Sequence, residues 1–328
     1  MKSNNYKIYY FYFKRLFLLL SIFFLSFSVL KAQSYNYSDP YSEKILLNPA
    51  YSGLSEISEI NLSYSKNFFH DIYSVSYNRF FSDYKSGLGL LVSNTRLGKG
   101  AINKLNISGI YNYQLKINYK SMINTALQIG YTEQSVNSEK LIFSNQINPI
   151  TQIINTNTDE FFGNIFRTSN ISFGTTYISN KYRTGLSILH INALFLKSDE
   201  IYIYPRFTLN FGKIFSVNIV NTKYKLLLTP EIIWQSENNF HQLIYAVHGI
   251  YNIFLTRIFV KHNINFNTFE SSVSFGVKHA KFRLIYTYNI SFTKYTDIPT
   301  STNEISLRYN FKERKKINIK NTIYCSEF

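Results

Sequence analysis

The sequence predicts an all-β chain: a transmembrane antiparallel up-and-down β-barrel of about fourteen strands, preceded by a short N-terminal periplasmic segment. Three observations carry this reading. Apolar and polar residues alternate with period two through most of the chain, the signature of strands with one greasy and one wet face. The alternating runs are mostly about 10–12 residues long, close to the ~9–11 that a tilted strand needs to cross the hydrocarbon layer. The composition is 45% hydrophobic, 18% aromatic and only 16% charged, yet mean hydropathy is −0.13, so apolar and polar residues are finely mixed. The low charge argues against a disordered chain and against an ordinary cytosolic enzyme. After residue 32 no stretch supplies the ~20 consecutive apolar residues of a membrane-spanning helix. The lone cysteine, Cys325, excludes a disulfide scaffold and a cysteine-built zinc or iron–sulfur site.

Taken in order, residues 1–32 read as a secretory signal peptide. Lys14 and Arg15 precede an apolar run from Leu16 to Leu30, and Lys31, Ala32 and Gln33 follow, which places cleavage after Ala32. An uncleaved N-terminal anchor is the alternative. This segment accounts for +5 of the formal charge of +16, leaving +11 on the mature chain. The abundance of Lys, Asn, Ile, Tyr and Phe matches what an AT-rich genome encodes, an alternative to a selected basic surface. Residues 33–55 form the periplasmic segment, 56–312 the outer-membrane barrel and 313–328 a basic tail.

The strands are expected at about 56–66, 71–81, 86–95, 103–117, 121–133, 168–179, 182–192, 203–212, 223–235, 240–251, 254–265, 270–279, 281–291 and 302–312. In the fourth, Leu105, Ile107, Gly109, Tyr111, Tyr113, Leu115 and Ile117 alternate with polar residues, and Ile110 is the misfit. Only 13 Gly and 6 Pro are present, fewer than the turns of a soluble β-sandwich would use. Outer-membrane barrels keep both termini in the periplasm, with short turns there and longer loops outside. The longest gap, 134–167, follows the fifth strand, and the gaps after the second, fourth, sixth, tenth and twelfth are short. The connection 213–222 breaks this pattern, although Phe215, Val217 and Ile219 still alternate there. Tyr113, Tyr131, Tyr177 and Tyr309 are candidates for the aromatic girdles at the lipid–water interfaces.

Little points to chemistry. His70, His190, His241, His248, His262 and His279 are scattered, with no close ligand pair. There is no G-x-S-x-G elbow, P-loop or G-x-G-x-x-G fingerprint. Gly87 and Gly89 stand within a strand pattern rather than a phosphate cradle. Asp159–Glu160 and Asp199–Glu200 read as solvated loop charge, with a calcium or partner contact as the alternative. No catalytic residue, cofactor or metal site is expected, and export argues against nucleic acid as a partner of the basic tail.

The Asp39-Pro40 pair is followed by Ile45-Leu46-Leu47-Asn48-Pro49-Ala50-Tyr51-Ser52-Gly53. This resembles the opening of the PorP/SprF family of the type IX secretion and gliding machinery of Bacteroidota. Further stretches are similar to that family in the same order. They are Gly87-Leu88-Gly89-Leu90 with Asn94, Arg96 and Gly98; Gln128-Ile129-Gly130-Tyr131 with Lys140-Leu141-Ile142-Phe143; Gly185-Leu186-Ser187-Ile188 with His190; and Glu304 through Phe311. Thr95, Leu189 and Asn303 depart from the family pattern. The resemblance implies a non-enzymatic outer-membrane barrel that supports export or surface anchoring of secreted proteins such as adhesins. Its implied partners are the outer-membrane bilayer, other type IX components, adhesin-like cargo and the barrel-assembly machinery. A passive porin or substrate channel is the alternative function. Asp39, Pro40, Asn48, Pro49, Ala50, Tyr51 and Gly53 are the candidate partner-contact residues, forming either a plug or strap at the barrel base or a mere entry turn. Tyr309 and Phe311 are the candidate barrel-assembly signal.

Overall fold

A computed structural model describes residues 37–55, 57–137, 140, 165–195, 203–218, 225–265, 268–293 and 296–311. The expected signal peptide, the acidic pairs at 159–160 and 199–200, Cys325 and the basic tail lie outside the described residues. The first strand, β1 (Glu59–Asn67), is followed by β2 (His70–Phe81), β3 (Ser86–Leu97), β4 (Ile102–Asn118) and β5 (Ser121–Val136). Beyond the longest connection come β6 (Ile165–Ser179), β7 (Tyr182–Leu189), β8 (Arg206–Lys213) and β9 (Phe215–Asn218). The chain then runs through β10 (Lys225–Glu237), β11 (Phe240–Tyr251), β12 (Phe254–Asn263), β13 (Thr268–His279), β14 (Phe282–Thr293) and β15 (Thr296–Asn310).

Apart from β8 and β9, which do not pair with each other, strands pair antiparallel with their sequence neighbours, and β1 pairs with β15, which closes the sheet. Strands β8 and β9 both pair with β10, so together they occupy one position and the barrel has fourteen. Only Ile214 interrupts them. The alternation of Phe215 and Val217 is thus a continuing strand, and the connection that broke the length pattern shortens to residues 219–224. The seventh strand ends at Leu189 rather than 192, because His190 takes a positive φ of 59° and a short 3-10 turn follows at Ile191–Phe195. At the end where β1 begins and β15 ends, the terminus end of the wall, neighbouring strands are joined by short turns such as 82–85, 119–120, 180–181, 252–253 and 280–281. The long connections 137–164 and 190–205 lie at the other end.

The burial pattern is inside-out relative to a water-soluble protein. On β1, Glu59, Asn61, Ser63 and Ser65 are buried while Leu62 is exposed. On β3 the exposed residues include Leu88, Leu90 and Val92, and on β13 Phe269, Val273 and Phe275. An apolar outer face with a polar interior is the pattern a strand takes when lipid surrounds the sheet. Closure leaves no edge of unpaired N–H and C=O groups, which the hydrocarbon layer requires. Tyr113 and Tyr131 face outward toward opposite ends of the wall, where a ring can sit with its hydroxyl in the headgroup layer.

Candidate functional site

The interior of the barrel is occupied by the chain itself. Residues 37–55 fold inside the wall as an irregular strap, and Tyr37, Asp39, Tyr41, Ile45, Leu47, Asn48, Ala50 and Tyr51 are all buried. Of the residues singled out in the N-terminal motif, Asp39, Asn48, Pro49, Ala50, Tyr51 and Gly53 are buried inside the wall, and Pro40 is half-buried.

Asn48 and Pro49 set the local conformation. Asn48 is extended, as a residue before proline prefers, and caps the 3-10 turn Pro49–Tyr51 by accepting the Ala50 N–H at 2.9 Å. Its amide donates to Thr175 O on β6 and to Leu186 O on β7, both at 3.1 Å. The wall makes room for this side chain with glycine. A Cβ at Gly174 would lie 2.1 Å from Asn48 Oδ1, and one at Gly185 would lie 3.1 Å from Asn48 Nδ2. The turn out of the strap uses the same device, since Gly53 has a φ of +61° and a Cβ there would lie 2.7 Å from Gly87 Cα. At Gly89 the corresponding space belongs to Ser52 Oγ. The glycines of the G-L-G and G-L-S stretches are notches in the wall that receive the strap.

Donors on the wall read the strap's carbonyls. Asn112 donates to Ala50 O at 2.9 Å and Ser52 O at 2.6 Å, Ser187 to Leu47 O at 2.9 Å, and Arg206 to Leu46 O at 2.6 Å. Because Leu47, Ala50 and Ser52 are buried, a carbonyl there left without such a donor would cost ~1–3 kcal/mol.

Charged groups are paired across the same interface. Arg257 donates to Asp39 Oδ2 at 2.6 Å, while Asp39 Oδ1 accepts the Tyr41 N–H at 2.8 Å. Glu304 on β15 accepts the Ser38 and Asp39 N–H groups and the Ser65 hydroxyl. Lys44 lies 2.7 Å from Glu59, and Glu43 accepts from Asn61 at 2.8 Å and Ser76 at 2.9 Å. At the centre, Tyr41 donates to Glu231 Oε1 at 2.7 Å, and Glu231 also receives Arg183, His248 and Asn210. The Arg183 and Arg257 guanidinium carbons stand 4.8 and 5.8 Å from the Tyr41 ring centre.

Many apolar residues of the wall that point inward meet the strap, whereas Ile250, Leu255 and Ile285 cluster among themselves. Ile110, the misfit of its strand, packs with Leu91 and Ala126 against Ile45 and Ala50. Met122, Ile178, Ile233, Ile244 and Phe259 gather with Tyr41, Leu47, Tyr51 and Leu54. Elsewhere the interior side chains are mostly Ser, Thr, Asn and charged groups.

The second group of sequence candidates lies on the outer face, at the seam between first and last strands. Tyr309 packs at a tilt against Phe282 with ring centres 4.9 Å apart and meets Phe311 at 5.3 Å, and Phe311 also meets Tyr77. The Phe311 N–H donates to Ser58 O at 3.0 Å, tying the exit of β15 to the entry of β1. Sequence reasoning missed Arg183, Glu231, Arg257 and Glu304 as strap partners. The signal available was a charged residue at an inward position of an otherwise serine- and asparagine-rich face.

A closed barrel with a lipid-facing exterior and an interior matched to its own N-terminal strap defines a membrane β-barrel protein. The family model of the type IX secretion system membrane protein PorP/SprF matches residues 29–309, and the chain belongs to that family. Solved structures to which it is similar include Omp33, an outer membrane protein of Acinetobacter baumannii, at 8% identity and a TM-score of 0.43, covering 79% of this chain and 100% of that one. The KdgM porin is similar at 8% identity and a TM-score of 0.37, covering 77% and 99%. BamA from Haemophilus ducreyi lacking POTRA domains 1–3 is similar at 9% identity and a TM-score of 0.41, covering 78% and 71%. No curated protein matches the chain.

Proposed function

We propose that this protein is a non-enzymatic outer-membrane component of type IX secretion that supports export or surface anchoring of secreted proteins such as adhesins. The observation that carries the reading is the strap. Residues 39–53 cross the lumen from Gly53, held at the terminus-side rim by Gly87, to Leu46, held by Arg206 at the far end of β8. A wall whose donors, notches and charges are matched to its own N-terminal segment suits a scaffold or anchor better than a solute pore. Such a role needs no hydrolase or transferase chemistry. The strap motif then serves as the plug that fills the barrel, and Tyr309 with Phe311 as the signal read by the assembly machinery.

Deleting the gene in the producing bacterium tests the reading. Secreted adhesin should fall at the cell surface, and re-expression of the intact chain should restore it. Unchanged surface display would refute it. In planar bilayers the purified protein should give no large steady current; such a current would favour a passive porin.

A further inference from the structure

We propose that the rim at the terminus end is a binding ring for the phosphates of anionic phospholipids in the leaflet it touches. The charges at that rim share one sign. Arg79, Lys85, Lys120, Lys181 and Lys213 are all exposed there, and the acid exposed beside them among the described residues is Asp83. None of the five has a carboxylate partner among the described residues. The opposite rim is mixed: Lys66, Asp71, Arg96, Glu133 and Arg167 face outward, and Arg167 and Glu133 pair at 2.9 Å.

The direction of two of these side chains selects a lipid over a soluble partner. Arg79 lies on the outward face of β2, in line with Tyr73, Val75 and Tyr77, and its guanidinium carbon sits 4.8 Å from the Phe81 ring centre. Lys213 lies on the outward face of β8, in line with Leu209 and Phe211, and pairs across strands with Tyr182. Its ammonium stands 5.0 Å from the Phe215 ring centre and 6.0 Å from that of Tyr182. An ammonium seated on girdle aromatics at the edge of an apolar face is at headgroup depth, where phosphate is the available anion. A protein approaching the turns from below would not reach these two positions. Lys85, Lys120 and Lys181 continue the ring through the turns, with Lys120 4.9 Å from the Tyr119 ring centre.

The full-length protein in neutral detergent is offered equal amounts of phosphatidylglycerol and phosphatidylcholine, and retained lipid is counted by native mass spectrometry. Wild type should prefer phosphatidylglycerol by about tenfold at low salt, and severalfold less at high salt. Together, Arg79→Gln, Lys85→Gln, Lys120→Gln and Lys213→Gln should bring the two lipids to parity. Lys66→Gln with Arg96→Gln, on the other rim, should leave the preference intact. Should the fourfold variant fail to fold, the salt response of wild type and the single Lys213→Gln variant decide. Equal retention by wild type, a preference that survives the fourfold change, or an equal loss in the opposite-rim variant would overturn the proposal. Capture of polyglutamate with no lipid preference would reassign the ring to an acidic protein partner and overturn it as well.

Discussion

Replacing Asn48 by Ala should undock the strap while leaving the wall intact. The side chain caps the turn at Pro49–Tyr51 and donates to two strand carbonyls. Loss of a cap of this kind costs ~1 kcal/mol, and each hydrogen bond to a buried partner contributes ~1 kcal/mol, so the substitution destabilises the docked strap by about 3 kcal/mol. At ~1.4 kcal/mol per decade that is about a hundredfold in the equilibrium between docked and open strap. Amide hydrogen exchange reads this directly. The Tyr51 and Ser52 amides donate to Asn48 O and Pro49 O within the turn, and both bonds are lost when the strap opens. Where reclosing is fast, their exchange should accelerate by about the same hundredfold, while amides of β11 and β12 stay as slow as in wild type. Acceleration below threefold would mean that Asn48 does not hold the strap. Equal acceleration in the strands would mean that the strap and wall unfold as one unit. Either result refutes the reasoning.

Three further outcomes follow from the same interface. Gly174→Ala places a methyl 2.1 Å from Asn48 Oδ1 and 3.0 Å from Pro49 Cδ, so it should raise strap exchange as Asn48→Ala does; Gly109→Ala, whose Cβ meets nothing within 4 Å, should be neutral. Glu231→Gln leaves Arg183 buried beside a neutral amide, and breaking one side of a buried pair costs about 3–5 kcal/mol. It should lower the temperature at which the folded, fast-migrating band is lost on heated gels. Tyr309→Ala with Phe311→Ala removes the seam cluster at an exposed lipid face. It should reduce the fraction of chain assembled in the outer membrane while leaving strap exchange in the assembled fraction unchanged.

The wall was legible in the sequence because its cause is local. A strand between lipid and a wet lumen must alternate, so each strand announces itself within ten residues, and β11 begins and ends where the pattern says. Where strands deviate, the cause is distant. Ile110 breaks its own alternation because it covers Ile45 and Ala50, and Asp39 meets Arg257 across 218 positions of chain. No period or spacing reports such a pairing. The motif residues could be recognised as a group, and their burial inside the wall could not, since a short irregular segment carries no periodicity of its own. Family resemblance marked Gly87, Gly185, Ser187 and Glu304 as notable positions; the structure supplies the reason, which is contact with the strap. Gly130, in another of the resembling stretches, instead packs against Ser108 within the wall. The basic rim was equally hidden, because its members are spread singly over separate turns and strand ends.

The strap touches β1 and β2 through Asn61 and Asn78, β4 through Asn112, β7 through Ser187, β10 through Glu231, β12 through Arg257 and β15 through Glu304. These strands are spaced around the whole circumference. A segment that must reach all of them at once works as a mandrel. It measures the bore of the barrel, so a sheet closed with one hairpin too few or too many would leave either no space for the strap or charged groups facing nothing. The protein thereby carries in residues 37–55 a gauge for its own diameter.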